Sequence, residues 1–465
     1  MKKTIRIALI KTPPTYANWY RRPVLGLSYL SGYLESLGHE TRIFDAYFNS
    51  WTQQELVREI TQYKPDLLGF SAMTHEIHAS ATMAAKLKEQ LRVPAIIGGP
   101  HVTALPEQTL AEFPTFDYGV YGEGEFTLAE LAGQWEAKDG LHGINGLIHR
   151  EGEKIIVNPA RPFMNEEELN RLPRPAFSHY YGENRTALHK RDAYYVMFTS
   201  RGCPYACAFC MQVLGRQVRR RSMESVLEEM EFAAKHYGAH TFDFADEIFL
   251  MNVPQTFALL NEFIRRGYPK RFRWSGLTRA NFVNDELIGL AKRAGCYRLA
   301  MGVESGDEAV LKHIDKRITI EQVQKAVETI KRHKIPLGTY YILGHPHETP
   351  ESANKTVNLA VSLNTSTIAM GIMVPYPGTR VYDLAVKGEG GYRLLSRNWA
   401  DYDKYGGRAL EIDGLPYEDM ERLQQKAILQ LYLKNHRYLD AVKYFWERRW
   451  AIYYLLKKRL FSRGK

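Results

Sequence analysis

Three of the chain's four cysteines, Cys203, Cys207 and Cys210, lie within eight residues in SRGCPYACAFC (200–210), at C-x3-C-x2-C spacing. Thiolates suit zinc and iron–sulfur clusters. A closed zinc site needs a fourth ligand and usually shows two short Cys/His pairs, and no second pair is evident here. A cubane cluster bound by three cysteines leaves one iron open for a substrate or cosubstrate, which gives an odd thiol count in a tight loop a physical meaning. The fourth, Cys296, follows a glycine before an apolar strand and reads as a buried core thiol. Four cysteines in 465 residues, three of them clustered, do not form a disulfide framework. They point to a reducing, cytoplasmic setting.

A loop of this kind needs rigid elements beneath it. Short apolar strands alternate with helical stretches through most of the chain. Strands are expected at 5–10, 41–46, 66–72, 94–99 and 118–123, with helices at 24–38 and 78–91 among them. Strand–helix alternation with glycine-rich strand ends predicts a doubly wound parallel sheet whose ligands sit at the carboxyl ends of the strands. LIHREGEKIIV (147–157) reads as a hairpin, and 158–185 as a linker. Alternation resumes with strands at 194–200, 241–247, 272–279, 297–305, 336–344 and 366–374. The intervening helices fall at 222–236, 254–266, 284–294, 319–333 and 350–363. Six βα units predict a partial barrel with its chemistry at the carboxyl face, where the cysteine loop emerges from the first strand. The fold class is therefore α/β. A doubly wound domain (1–145) is followed by a hairpin and linker (146–188), a partial (βα)6 barrel (189–415) and a helical, basic C-terminal segment (416–465).

The three cysteines, with Phe209 just before the last, on a loop after the first strand of a βα barrel, resemble the radical S-adenosylmethionine family. The resemblance implies a [4Fe-4S] cluster whose open iron chelates S-adenosylmethionine, and reductive cleavage of that molecule to a 5′-deoxyadenosyl radical. It also implies an external electron donor of the flavodoxin or ferredoxin kind. Other strand ends match the same family. Asp246 and Glu247 close the second strand and correspond to polar positions facing the S-adenosylmethionine amino group. Arg279 ends the third strand and corresponds to a carboxylate partner. Glu304 and Ser305, in GVESGDE (302–308), resemble ribose-contacting positions. YYILGHPHET (340–349), with Tyr341 and Leu343, resembles the fifth-strand stretch that offers backbone contacts to adenine, and PYPGT (375–379) is a turn found in the family.

The preceding sheet domain resembles the cobalamin-binding domain of the cobalamin-dependent subgroup. GFSAMT (69–74), IIGGPH (96–101) and GEGE (122–125) carry that likeness. Glycines there let backbone approach the nucleotide tail. Cobalamin is the implied cofactor, with Ser71, Gly98, Gly99, His101 and Glu123 as expected contacts; His101 reads equally well as a turn histidine. The D-x-H-x-x-G motif, whose histidine ligates cobalt in many cobalamin proteins, is absent, so no histidine of that motif fills the lower axial site. A degenerate domain that binds no cobalamin is the alternative. The implied reaction is methylation of an unactivated carbon on a small or lipid-like substrate, with radical oxidation, cyclisation or rearrangement as the alternative. Methylthiotransferases carry further cysteines in the N-terminal domain, and residues 1–202 contain none. A cofactor carrier or sensor needs no open iron.

The formal net charge is +10, and 430–465 hold ten Lys/Arg against two acids. A uniformly basic surface would suggest nucleic acid; a basic tail does not. YFWERRWAIYYLLKKRLF (444–461) interleaves aromatic and basic residues. It reads either as a helix docked on the barrel or as an interfacial helix drawn to anionic lipid. The latter would make the enzyme a peripheral membrane protein and favour a lipid-like or tetrapyrrole substrate. No apolar run is long enough to span a bilayer.

Overall fold

The computed structural model describes residues 4–13, 22–135, 140–182, 187–188, 194–404 and 406–447. The first sheet contains β1 (Arg6–Lys11), β2 (Glu40–Asp45), β3 (Leu67–Ser71), β4 (Ala95–Gly98) and β5 (Tyr118–Val120), paired in parallel in the order β2-β1-β3-β4-β5. Its central strands are near-continuous apolar runs because helices cover both faces; Ile7, Ala8, Leu9 and Ile10 are all buried. The hairpin β6 (Leu147–Glu151) and β7 (Lys154–Val157) turns at Gly152 and pairs antiparallel onto β5. The sheet thus runs to Val157 rather than stopping at 145. Hairpin strands need a partner to be stable, and the edge of β5 provides one.

The linker beyond is not loose. Ala176 N–H donates to the Ser28 carbonyl (2.9 Å) on the helix Leu25–Ser36. Gly32 of that helix lies against the Arg174 carbonyl, where a Cβ would collide.

The second sheet is all parallel. It contains β8 (Tyr195–Met197), β11 (Thr241–Phe244), β12 (Arg273–Thr278), β13 (Cys296–Glu304), β14 (Leu337–Leu343) and β15 (Thr367–Ile372), side by side in chain order. Two short strands, β9 (Ser200–Arg201) and β10 (Arg219–Arg220), pair antiparallel at its carboxyl end. The helices that follow are Met223–Tyr237, Pro254–Arg265, Asp285–Arg293, Ile320–Arg332, Pro350–Ser362 and Arg380–Lys387. Five of the six start on a Ser, Asn or Thr whose side chain accepts an orphan N–H of the first turn. One large core lies between these helices and the strands, and Cys296 is buried in it, where desolvation pushes its thiol well above the ordinary range. The first barrel strand was expected to run unbroken from 194 to 200. It breaks at Phe198 and Thr199, for a reason given below.

After the barrel come β16 (Tyr392–Leu394) and β17 (Leu410–Ile412), an antiparallel pair. The segment between them carries Trp399 onto the carboxyl edge of the first sheet. The helix Tyr417–Lys434 then packs along Pro350–Ser362, and Tyr438–Glu447 follows it. Most of the amphipathic stretch 444–461 lies outside the described residues. Among the described residues no helix is long and apolar enough to cross a membrane.

Candidate active site at the mouth of the barrel

The cysteine loop leaves β9 at Gly202, whose φ is +94° and whose Cβ would strike the Gln217 carbonyl. Only glycine satisfies both conditions. Cys203 N–H then donates to the Gly215 carbonyl (3.1 Å), and Cys210 N–H to the Cys207 carbonyl (3.0 Å). The loop is also tied to the barrel: Ala208 N–H donates to the Ile314 carbonyl (2.9 Å) and the Ala208 carbonyl accepts from Val381 N–H (3.1 Å). Desolvation, followed by repulsion between neighbouring sulfurs, holds the Cys210 thiol above its ordinary value. For Cys203 the same two effects outweigh a hydrogen bond from the Tyr205 backbone. A bound metal cluster reverses that penalty.

Asp246 is completely buried and acts as a brace. One oxygen takes the Thr199 hydroxyl (2.9 Å), the Ser200 hydroxyl (2.6 Å) and the Ser200 N–H, and both approach Thr199 N–H (3.0 and 3.1 Å). These bonds turn Thr199 and Ser200 off the sheet line, which is why the first strand breaks. Asp246, expected to face an amino group, is therefore committed to the protein. Glu247 is half-buried beside the cysteines, and burial raises its pKa.

Arg279 sits at the end of β12. Its guanidinium stacks on the Tyr205 ring (3.6 Å to the centroid), its Nε donates to Asn281 Oδ1 (2.8 Å), and Nη1 lies 4.0 Å from Cys207 Sγ. Asn281 in turn donates to the Tyr205 hydroxyl (2.8 Å). Arg279 Nη2 is buried without a hydrogen-bond partner. A guanidinium with a spare buried donor beside the cysteines is preorganised for a carboxylate.

Glu304 is buried with a positive φ of +72° and pairs with Lys316 Nζ (2.7 Å). Ser305 hydrogen-bonds Thr356 (3.2 Å). Lys316 Nζ lies 6.0 Å from the Phe209 ring centroid, and Phe209 packs against the buried His345 ring (centroids 5.8 Å apart). Burial drops the His345 pKa to about 3, so the ring is neutral. The side chains of Tyr341 and Leu343 point into the core behind the sheet. Only their backbone remains for a ligand, since alternation sends Tyr340 and Ile342 to the other face.

On the first sheet, Ser71 ends β3 and Gly98 ends β4. A Cβ on Gly99 (φ +100°) would meet the Ala72 carbonyl at 2.8 Å and Ser71 Oγ at 3.1 Å. His101 is buried with neither ring nitrogen hydrogen-bonded, 5.1 Å edge-on from Trp399, and burial lowers its pKa to about 4. Thr74 Oγ1 is also buried and unpaired. Two orphaned polar groups beside a bare-backbone cradle fit a cofactor that supplies their partners. Glu123 follows the carboxyl end of β5. Its oxygens take Arg201 Nη1 (2.9 Å), Arg219 Nη1 (2.8 Å) and Met164 N–H (2.7 Å). These bonds occupy Glu123 with protein donors: a buried carboxylate is held where it meets opposite charge.

Residues 20–132 match the B12 binding domain family, and residues 197–360 the radical SAM superfamily. A methyltransferase of Pyrococcus horikoshii described as uncharacterised is 30% identical over 93% of both chains. The chain belongs to the cobalamin-binding radical SAM family. An anaerobic magnesium-protoporphyrin IX monomethyl ester cyclase of Rubrivivax gelatinosus is 28% identical over 77% of this chain and 65% of its own. In fold, the chain is similar to the radical S-adenosylmethionine methyltransferase TsrM of Kitasatospora setae, solved with cobalamin and a [4Fe-4S] cluster (TM-score 0.71, 20% identity, covering 93% of this chain and 89% of that one).

Several residues that shape this radical SAM site were not singled out from sequence: Arg201, Arg219, Tyr205, Asn281, Lys316 and Trp399. Arg201 stands inside the quoted cysteine stretch, and its charge was the available signal.

Glu348 closes the loop that follows β14. Its Oε2 accepts Gly344 N–H and His345 N–H (3.1 Å), while Oε1 is buried and unpaired. Burial pushes its pKa up to about 7 from an ordinary 4.5. The folded protein therefore retains a proton over that interval. The stability this lends is complete at acid pH and is lost as the pH rises through the folded value. Glu348→Gln is expected to remove this dependence, so its melting temperature should gain on the parent's between about pH 5 and 8. Parallel profiles would show that Glu348 does not titrate there.

Proposed function

We propose that this protein is a cobalamin-dependent radical SAM enzyme that methylates an unactivated carbon of an apolar small molecule. The observation that carries the reading is the unpaired Arg279 donor, buried and stacked on Tyr205, 4.0 Å from a cysteine of a three-thiol loop. Cys203, Cys207 and Cys210 would hold the cluster, and Arg279 the carboxylate of S-adenosylmethionine. The Glu304–Lys316 pair and the 344–348 loop would line the nucleoside. Ser71, Gly98, Gly99 and His101 would hold cobalamin. When bound, these groups supply one-electron cleavage of the sulfonium and a methyl carrier; a donor of the flavodoxin or ferredoxin kind provides the electron. The chain's own part is to orient the carboxylate, keep His345 neutral and exclude water behind Tyr205 and Phe209.

The barrel wall favours an apolar substrate. Register places Leu277, Ala300 and Gly338 in one lateral row, and Gly302, Tyr340 and Ala369 in the next. Neighbours in such rows share a face. That face is opposite the helices, small or apolar at these positions apart from Tyr340, and less buried than its alternates, as ligand cavities are. A second reading, oxidative ring closure without methyl transfer, draws on the likeness to the cyclase; a tetrapyrrole suits either. After anaerobic reconstitution with iron, sulfide and hydroxocobalamin, the protein is expected to show cluster and cobalamin absorption and to cleave S-adenosylmethionine to 5′-deoxyadenosine. Cys207→Ala should lose the cluster bands and the cleavage together. With magnesium-protoporphyrin IX monomethyl ester as probe, label passing from S-adenosylmethionine's methyl group to product supports methylation. Loss of hydrogen without label supports ring closure, and no cobalamin uptake rejects both.

We also propose peripheral contact with anionic lipid through the C-terminal segment. On Tyr438–Glu447, Leu439 is 87% and Val442 67% exposed, and the residues that follow are strongly basic. The full chain should sediment with phosphatidylserine vesicles and a chain ending at 437 should not; equal sedimentation would reject the contact.

A further inference from the structure

We propose that Glu123 and Glu125 form a clamp that fixes the cysteine loop against the cobalamin-binding sheet and so sets the spacing of the two cofactor sites. The inference rests on the cofactor assignment above. Gly122 (φ +78°) turns the chain after β5, Glu123 caps the helix Gly124–Gly133, and Glu125 lies in its first turn. Their partners come from the other sheet. Arg201 donates to Glu123 (2.9 Å) and to Glu125 (2.7 Å), and Arg219 donates to the second oxygen of Glu123 (2.8 Å). All four side chains are at most 8% exposed. Two acids meet two bases, so the group is neutral as a whole.

What the arginines flank gives the group its role. Arg201 and Arg219 face each other across the β9–β10 pair, and all three cysteines lie on the excursion between them. Each foot of the cysteine loop therefore lands on the same carboxylate of the other domain. The linker joins in, with Met164 N–H on Glu123 and the Met164 carbonyl accepting from Arg219 (2.7 Å). Arg219 also donates to the Leu214 carbonyl inside the loop (2.7 Å). Phe198 and Phe163 flank the guanidiniums at 4.6 and 5.0 Å. Buried ion groups of this kind are poor sources of net stability compared with apolar packing; what they enforce is registry. The planar arginine fork makes that registry directional.

A comparable buried pair provides the control. Arg221 and Glu229 (2.6 Å, 7% and 1% exposed) both belong to the barrel domain and pair with no carboxylate of the first domain, which Arg221 meets through a long contact to the Tyr29 hydroxyl (3.5 Å). Hydrogen exchange is measured on the full chain without cofactors. Pulsed electron paramagnetic resonance then measures the magnetic coupling between reduced cluster and cob(II)alamin in the reconstituted protein. Glu123→Gln should raise exchange at 199–221 at least about tenfold and broaden the coupling, with the cluster retained. Glu229→Gln should loosen its own helix and leave the coupling sharp. Glu125→Gln, which breaks a single arm, carries the same readout should Glu123→Gln fail to fold. A sharp coupling in both glutamate variants, or equal broadening in Glu229→Gln, overturns the clamp. So does weaker cobalamin binding in Glu123→Gln with unchanged loop exchange, which would make Glu123 a cofactor contact. Absence of cobalamin uptake by the parent would instead sink the proposed function, leaving the clamp to the exchange measurement.

Discussion

A carboxylate shared by two arginines, all buried, is tolerable only if every partner stays in place. Taking such charges out of water costs several kcal/mol per ion, and breaking one pairing leaves an uncompensated charge worth about 3–5 kcal/mol of destabilisation. Glu123 holds Arg201 and Arg219 under this constraint. Neither arginine can move without stranding the other's partner, so the ends of the cysteine loop are fixed before the loop makes any contact of its own. The consequences run outward. With Arg201 fixed, Gly202 has to turn at φ +94° against Gln217, and Cys203 is delivered to the Gly215 carbonyl. The fifth strand of one sheet thereby determines where thiols of the other emerge.

Asp246 imposes a second constraint from within the barrel. A fully buried carboxylate is stable only when its lone pairs are filled, and Thr199 and Ser200 fill them. The first strand yields two residues of sheet to do so. That sacrifice re-aims the chain from the strand axis toward the clamp, so the brace and the clamp act in series on consecutive residues, 199–200 and then 201. The loop between the feet has little regular structure of its own. Its order comes from outside, through Ile314, Val381 and the stacked Arg279.

These two constraints explain which parts of the molecule were legible in its sequence. Periodicity revealed the six barrel strands and the helices because burial acts on every turn and every second residue alike. The cysteine spacing announced its chemistry because thiols are rare here. Partnership between distant residues left no periodic trace. Glu123 and Asp246 sit in stretches that resemble cofactor-binding segments, and both are acids at strand ends, yet each takes protein donors 41 to 96 positions away in sequence. Tyr341 and Leu343 were placed correctly on their strand, but alternation gives their side chains to the core. The hairpin at 147–157 was visible as a hairpin; that it extends the first sheet depends on the free edge of β5, which no local pattern encodes.

The distribution of polarity then bears on what the cavity accepts. Charged groups gather at the strand ends, and nearly all are paired: Glu304 with Lys316, Asp246 with backbone and hydroxyls, Glu123 with arginine. Arg279 Nη2 is the buried cationic donor there without a partner among the described residues. Below that rim the wall is built of Leu277, Ala300, Gly302, Ile342 and Ala369, small or apolar. A highly charged substrate would find one spare buried cationic donor at the mouth and only the hydroxyls of Tyr340 and Thr367 along these rows, and would lose hydration with little compensation. An apolar body loses nothing on entering, and the small side chains leave it room. The polar end of such a molecule would have to stay at the rim or face the first sheet, where His101 and Thr74 carry buried polar atoms without hydrogen-bond partners among the described residues.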